Sequence, residues 1–232
     1  MRKVSVGLGA AAMVAGLGVV GAPPAGAVTV TPNVNLRPCV DTGNPNCSPV
    51  GTSGSSGAWK MRCWRDGSWA TGNYRSNRWF LIVLNDGREG FVHSSFVGNQ
   101  TATPNCNELP YVRAADWAIA RIGQYTQPNG VGWSGYCATF THNAFTQGAG
   151  VAYEPGNAID QYWKYRNRGM IRGGLPRFGD PVFYDIARPY GHTAIYIGGT
   201  TVVTTQGLEG ANLPVARRDL YSFSNYLGWA TV

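Results

Sequence analysis

Apolar and polar positions fall into three stretches of different texture. Residues 1–27 open with Arg2 and Lys3, continue through small and apolar residues, and reach Pro23-Pro24 and Ala25-Gly26-Ala27. A basic start, a weakly apolar run and a small-residue site predict a cleaved export leader in place of a membrane anchor. No other segment approaches the roughly 20 apolar residues of a membrane span. From 28 to 106, short β-like runs alternate with turns, at 60–64, 79–84 and 90–93. Asn85-Asp86-Gly87-Arg88 predicts a tight hairpin turn, because Asp-Gly accepts the positive φ such turns need. Residues 51–57 (GTSGSSG) predict a flexible loop. No stretch here keeps a helical period, so a small all-β barrel is expected.

The polar, Pro-containing segment 99–110 marks a boundary, and the texture then changes. Residues 114–125 place Ala115, Ile119 and Ile122 on one helical face. A second helix is predicted at 136–146, ended by Gly148, and a third at 158–168. Strands follow at 181–184, 192–197 and 201–205. Helices followed by strands predict an α+β domain over 107–232. The chain shows no internal repeat.

Composition narrows the picture. A chain of 232 residues, 44% hydrophobic and 13% charged, can bury a core and is not a highly charged disordered polymer. The 32 glycines and 12% aromatics favour short strands and turns over long helices or coiled coils. The net charge of +7 falls to +5 once Arg2 and Lys3 leave with the leader. That charge suits an anionic or carbohydrate-bearing partner. Nucleic acid is not expected as a partner, since the positive residues are scattered and export removes most nucleic acids. The cluster at Lys164, Arg166, Arg168 and Arg172 predicts a solvated helix face. There is no Cys-x-x-Cys, His-x-x-x-His or His-Glu-x-x-His, so no metal is expected. No phosphate-binding glycine loop is present, no cofactor is implied, and a monomer is expected.

Export places the five cysteines in an oxidising environment where thiols pair. Cys39, Cys47, Cys63 and Cys106 lie in the β-like half, and Cys137 stands alone in the other. Cys137 follows Trp133-Ser134-Gly135-Tyr136 and opens a predicted helix. Unpaired amides and the positive helix end there stabilise a thiolate and can hold an oxyanion, while Gly135 lets the chain turn sharply. Cys137 is therefore a candidate nucleophile if a base reaches it. Of the three histidines, His93 belongs to the β-like half. His142, five residues past Cys137, points away from the thiol on a helix and reads as a packing or surface residue. His192 opens a strand after Gly191, and a histidine placed so can act as a general base.

Two sets of motifs carry family resemblances. Val34-Asn35-Leu36-Arg37, Val50-Gly51-Thr52, Trp79 and Asp86-Gly87-Arg88-Glu89-Gly90-Phe91-Val92 resemble bacterial SH3-like domains of secreted cell-wall proteins, over about 34–97. That resemblance implies a module binding wall peptide or glycan without catalysis. Four cysteines there allow three pairings. Cys39 with Cys47 would close a short loop, and Cys63 with Cys106 would pin the tail. Gly135-Tyr136-Cys137, Gly179-Asp180-Pro181-Val182-Phe183 and Gly191-His192-x-x-Ile195-Tyr196-x-Gly198 resemble the NlpC/p60 superfamily of papain-like cell-wall hydrolases, with its CHAP amidase relatives, over about 110–210.

The second resemblance implies that Cys137 is the nucleophile, that His192 is its base, and that Gly179-Asp180 is a structural turn. It also implies a third polar residue on the next strand, orienting the imidazole. That strand carries no His or acid. Ungapped counting favours Thr204. Gln206, on the same face, has the better acceptor and is preferred slightly, accepting from Nδ1–H. Tyr136 stands where many relatives carry Asp and CHAP types carry Gln, while Gly156-Asn157-Ala158 with Trp163 looks more like CHAP. Trp133 and Tyr136 are candidates to line the cleft.

The expectation is a secreted or wall-associated cysteine peptidase or amidase acting on peptidoglycan peptides, with a papain-like α+β domain preceded by an SH3-like barrel. The alternatives are a non-catalytic wall-binding protein with a decayed hydrolase fold and an acyltransferase on the same scaffold.

Overall fold

The computed structural model describes residues 28–55 and 57–232, and the export leader expected at 1–27 lies outside them. The β-rich half holds three small antiparallel sheets. β1 (Thr29–Val30) pairs with β7 (Val97–Gly98), and β2 (Asn35–Leu36) pairs with β3 (Gly51–Thr52). β4 (Ala58–Thr71), β5 (Arg75–Leu84) and β6 (Glu89–His93) form the third. The hairpin expected at 85–88 joins β5 to β6, with Gly87 at φ 88°. The flexible loop expected at 51–57 is corrected in part. Gly51 and Thr52 are a strand, because their backbone pairs with Leu36 and Asn35.

β5 explains its own sequence. Residues from Trp79 to Leu84 are all buried, so the alternation of a half-exposed strand is absent. Phe80, Ile82 and Leu84 face a cluster with Leu36, Met61 and Val92 inside the β-rich half. Trp79 and Leu81 face the other way and join a second cluster, which continues through Phe91 into Val112, Phe140 and Phe178. One apolar core therefore runs across the boundary between the halves.

α1 (Pro110–Ile119) starts with proline in its first turn, where the missing N–H costs nothing. It ends earlier than the sequence pattern predicts. Gly123 turns with φ 87°, and its N–H bonds the Val215 carbonyl at 2.8 Å, which draws the chain off the helix axis. α2 (Cys137–Asn143) continues into a π-helical segment, Ala144–Ala149, and stops at Gly150 with φ 69°. Gly148 does not end the helix. A Cβ there would lie 2.4 Å from Trp117 Cβ, so the glycine lets α1 approach. α3 (Ala158–Asn167) opens with a reciprocal cap between Asn157 and Asp160.

Six strands complete the second half: β8 (Ile171–Arg172), β9 (Pro181–Tyr184), β10 (His192–Tyr196), β11 (Thr201–Thr204), β12 (Ala216–Asp219) and β13 (Tyr226–Ala230). They form one antiparallel sheet in the order β12-β11-β10-β9-β13-β8. α2 packs on β10 and β11, and α3 on β9 and β10.

Disulfides within the β-rich half join Cys39 to Cys47 and Cys63 to Cys106. Polar ties hold the halves together. Arg65 makes a two-pronged ion pair with Asp116 of α1, at 2.6 and 2.9 Å. Buried Glu89 pairs with Arg62 and accepts the Phe178 N–H at 3.3 Å. No helix among the described residues is long and apolar enough to cross a membrane.

Candidate active site

Three elements meet at one end of the sheet: the start of α2, the start of β10 and the end of β11. Cys137 is the first residue of α2 and the free cysteine among the described residues. Gly135, at φ 84°, lets the chain enter the helix. Burial pushes the Cys137 thiol up. Backbone N–H groups of Thr193, Ala138 and Cys137 itself pull it part of the way back. The amide of Thr193 thus brings the thiol to the residue that follows His192.

His192 opens β10 against the rings of Phe223 and Tyr184, with centroids at 4.7 and 6.0 Å. Its desolvated imidazole is pulled down to about 4, so it is neutral at ordinary pH. The ring Nε2 lies 3.1 Å from Thr204 Oγ1. The Thr204 hydroxyl also donates its one proton to the Thr193 carbonyl, at 2.8 Å. With that proton committed, the oxygen can only accept from Nε2–H. The imidazole is therefore held as the Nε2–H tautomer, and Nδ1 keeps its lone pair. Thr193 links the site twice over, its amide facing the thiol and its carbonyl fixing Thr204.

Of the two candidates for the orienting position, Thr204 touches the imidazole. Gln206 does not, and the preference for it is corrected. β11 ends at Thr204, and the Gln206 amide bonds the Pro214 carbonyl at 2.8 Å and the Arg218 guanidinium. The nitrogen bonded is also Nε2 and not the expected Nδ1.

Tyr136 precedes the nucleophile, and its hydroxyl donates to Glu209 Oε1 at 2.7 Å. Glu209 rides on the segment after β11, which packs so close that a Cβ on Gly135 would lie 2.6 Å from its nitrogen. The Ser134 hydroxyl accepts the Leu213 N–H at 2.8 Å and holds the same segment. Nothing in the spacing of Tyr136 and Glu209 signals this contact, which exists only through the fold. Cys137 is 9% exposed beneath it.

Trp133 is corrected as a cleft residue. It is fully buried, edge-on to Trp117 and Phe140 at 6.2 and 5.3 Å, because the core beneath α2 needs its bulk. His142 packs on Tyr153, away from the site. Asp180 lies in the turn before β9, and Arg177 grips it at 2.6 Å. Complete burial outweighs that partner and pushes its carboxyl up to about 7. No three His, Cys, Asp or Glu side chains among the described residues gather as a metal site.

No family model matches the chain. No curated protein matches it. Solved structures do, and those neighbours are NlpC/p60-family proteins. One is a lipoprotein-like protein of that family from Staphylococcus aureus, 22% identical over 53% of this chain, with TM-score 0.39. The chain spans 41% of that protein's length. Another is the peptidoglycan hydrolase RipB of Mycobacterium tuberculosis, 18% identical over 54% of this chain and 65% of its own, with TM-score 0.38. A third is the P60 domain of an antigen from Mycobacterium avium subspecies paratuberculosis, 19% identical over 54% of this chain and 95% of its own, with TM-score 0.39.

Proposed function

We propose that the protein is an exported hydrolase that cleaves an amide bond in cell-wall peptides through a Cys137–His192 acyl-enzyme mechanism. One observation carries the proposal. Thr204 accepts from His192 Nε2–H, which leaves Nδ1 as a free base, while the Cys137 thiol rests at the amide of the next residue. In the resting site both partners are neutral, since burial raises the thiol and lowers the imidazole. His192 Nδ1 takes the thiol proton as sulfur attacks the substrate carbonyl. The N–H groups at the start of α2 hold the resulting oxyanion. The imidazolium then protonates the leaving amine, and water, activated by the same imidazole, releases the acyl group. The β-rich half, which resembles SH3-like wall-binding domains, keeps the enzyme on its substrate and raises the local concentration of bonds to cut. The leader at 1–27 delivers the chain to the oxidising exterior where its two disulfides form.

The test is digestion of purified wall by the mature protein and by Cys137→Ala, with fragments read by mass spectrometry. New amino termini or freed glycan from the unmutated protein alone support the mechanism and name the bond. Wall binding without cleavage by either form overturns it. That outcome would favour a second reading, a wall-binding protein without turnover, which the near-occlusion of Cys137 supports.

A further inference from the structure

The β-rich half carries a cleft of about 350 Å³. We propose that it is a second, non-catalytic site that takes the free carboxylate end of a short peptide. Its wall carries Asn35 and Arg37, alternate residues of one extended segment, with Asn33 beside them in the turn before it, at φ 59°. Alternate residues of an extended chain share a face and sit roughly 6–7 Å apart, about the repeat of a peptide laid alongside. The side chains of Asn33 and Asn35 have no partner among the described residues, and both are exposed. Each carboxamide offers a donor and an acceptor, the complement of a peptide group.

Arg37 follows two residues after Asn35. Its guanidinium makes one hydrogen bond, to the Cys47 carbonyl at 3.1 Å, and has no carboxylate partner among the described residues. No acidic residue lines the cleft, so its charge is open to an anionic ligand. A planar guanidinium with spare N–H groups matches a carboxylate better than any other protein cation.

The floor is apolar and held in place. Trp79 donates its indole N–H to the Ser68 carbonyl at 3.0 Å and stands edge-on to His93 at 5.1 Å. His93 is fixed through both ring nitrogens, to Ser95 Oγ at 2.8 Å and the Ser76 carbonyl at 3.0 Å. Phe96 closes the side. Pinned aromatics beneath polar groups that face the opening are what a small-ligand site requires. The cleft gives the proposed wall-binding role a specific ligand and rests on that proposal only for the source of the peptide.

The test uses the full mature chain with Cys137→Ala to prevent turnover. The probes are N-acetyl-Ala-Ala-Ala with a free carboxylate, the same peptide as its C-terminal amide, and N,N′-diacetylchitobiose. Backbone amide signals of residues 33–37 are followed by NMR. The acid should shift these signals, and the amide should bind at least tenfold more weakly. Arg37→Gln should lose about tenfold for the acid and nothing for the amide. Asn35→Ala, on an exposed side chain that leaves folding intact, should weaken both peptides at least threefold. Equal binding of acid and amide, shifts produced by the sugar alone, or no shift at these residues would overturn the proposal. Peptide binding here with no wall digestion by the unmutated chain would leave it standing and remove the hydrolase proposal instead.

Discussion

At the residue scale the site turns on the one proton of Thr204. Because that proton is committed to the Thr193 carbonyl, a hydroxyl does the work that an amide or carboxylate would do elsewhere. Thr204→Val keeps the shape and removes both bonds. It should lower kcat on the order of tenfold to a hundredfold, a part of what general-base catalysis supplies. It should also cost about 1–2 kcal/mol of stability for the hydrogen bonds lost from a buried position. Gln206→Ala should leave kcat within roughly twofold, since its amide serves Pro214 and Arg218. Steady-state kinetics on soluble wall peptide separates the two variants, and equal losses would contradict the assignment of Thr204. The acid limb of kcat/KM reports the base of the free enzyme. With His192 pulled down to about 4, the base stays neutral from neutral pH down to that value, and activity should halve near pH 4. A midpoint near the ordinary histidine value of about 6.5 would show that burial does not govern this imidazole.

At the element scale, glycines mark the places where one element passes close to another. Gly179, at φ 83°, would carry a Cβ only 2.0 Å from the Tyr111 carbonyl oxygen. Gly179→Ala therefore meets both backbone strain and a clash with immovable main chain. It should cost on the order of 3 kcal/mol or more, read from the midpoint of urea unfolding. Helices and strands themselves were legible in the chain. α3 and the strands at β9, β10 and β11 sit close to where their periodicity places them. The misplacements share a cause. α1 stops short because Gly123 bonds Val215 from a distant segment, and the π-helical segment that follows α2 runs past Gly148 because that glycine serves Trp117. Local pattern cannot distinguish a glycine that ends a helix from one that lets a neighbour in.

At the scale of the whole molecule, the core that crosses from β5 to α2 joins the halves. Phe91 meets Phe178 edge-on at 5.6 Å across that boundary. Thermal unfolding should accordingly show one transition for both halves, and two separate heat-absorption peaks would contradict the shared core. Two buried groups set opposing pH dependences. The Asp180 carboxyl is raised to about 7, so the folded state takes its proton first, and stability rises as pH falls from 7 toward the ordinary aspartate range. The His192 imidazole is lowered to about 4, so the unfolded state takes its proton first, and stability falls as pH drops from about 6.5 to 4. The two largely cancel. Asp180→Asn removes the first and should expose the second, as a loss on the order of 3 kcal/mol between pH 6.5 and 4 that the unmutated chain does not show. Guanidinium midpoints across that range check it, and matching profiles for the two proteins would refute it.

The amino-acid sequence alone determined the chemistry available: which cysteine is left without a partner, which histidine follows a glycine into a strand, and the two textures that separate a β-rich half from an α+β half. These are local properties of spacing and residue type. Tertiary structure alone decided which polar side chain reaches the imidazole, through which nitrogen, and that Trp133 belongs to the core. It also decided what the unbroken apolar run of β5 is for. A strand buried on one face alternates, whereas one buried on both does not, and the chain cannot say what will cover the second face. In this protein the covering surface is its own other half, and the core they share also holds Phe140 of α2, Ile195 of β10 and Val203 of β11, the elements that frame Cys137.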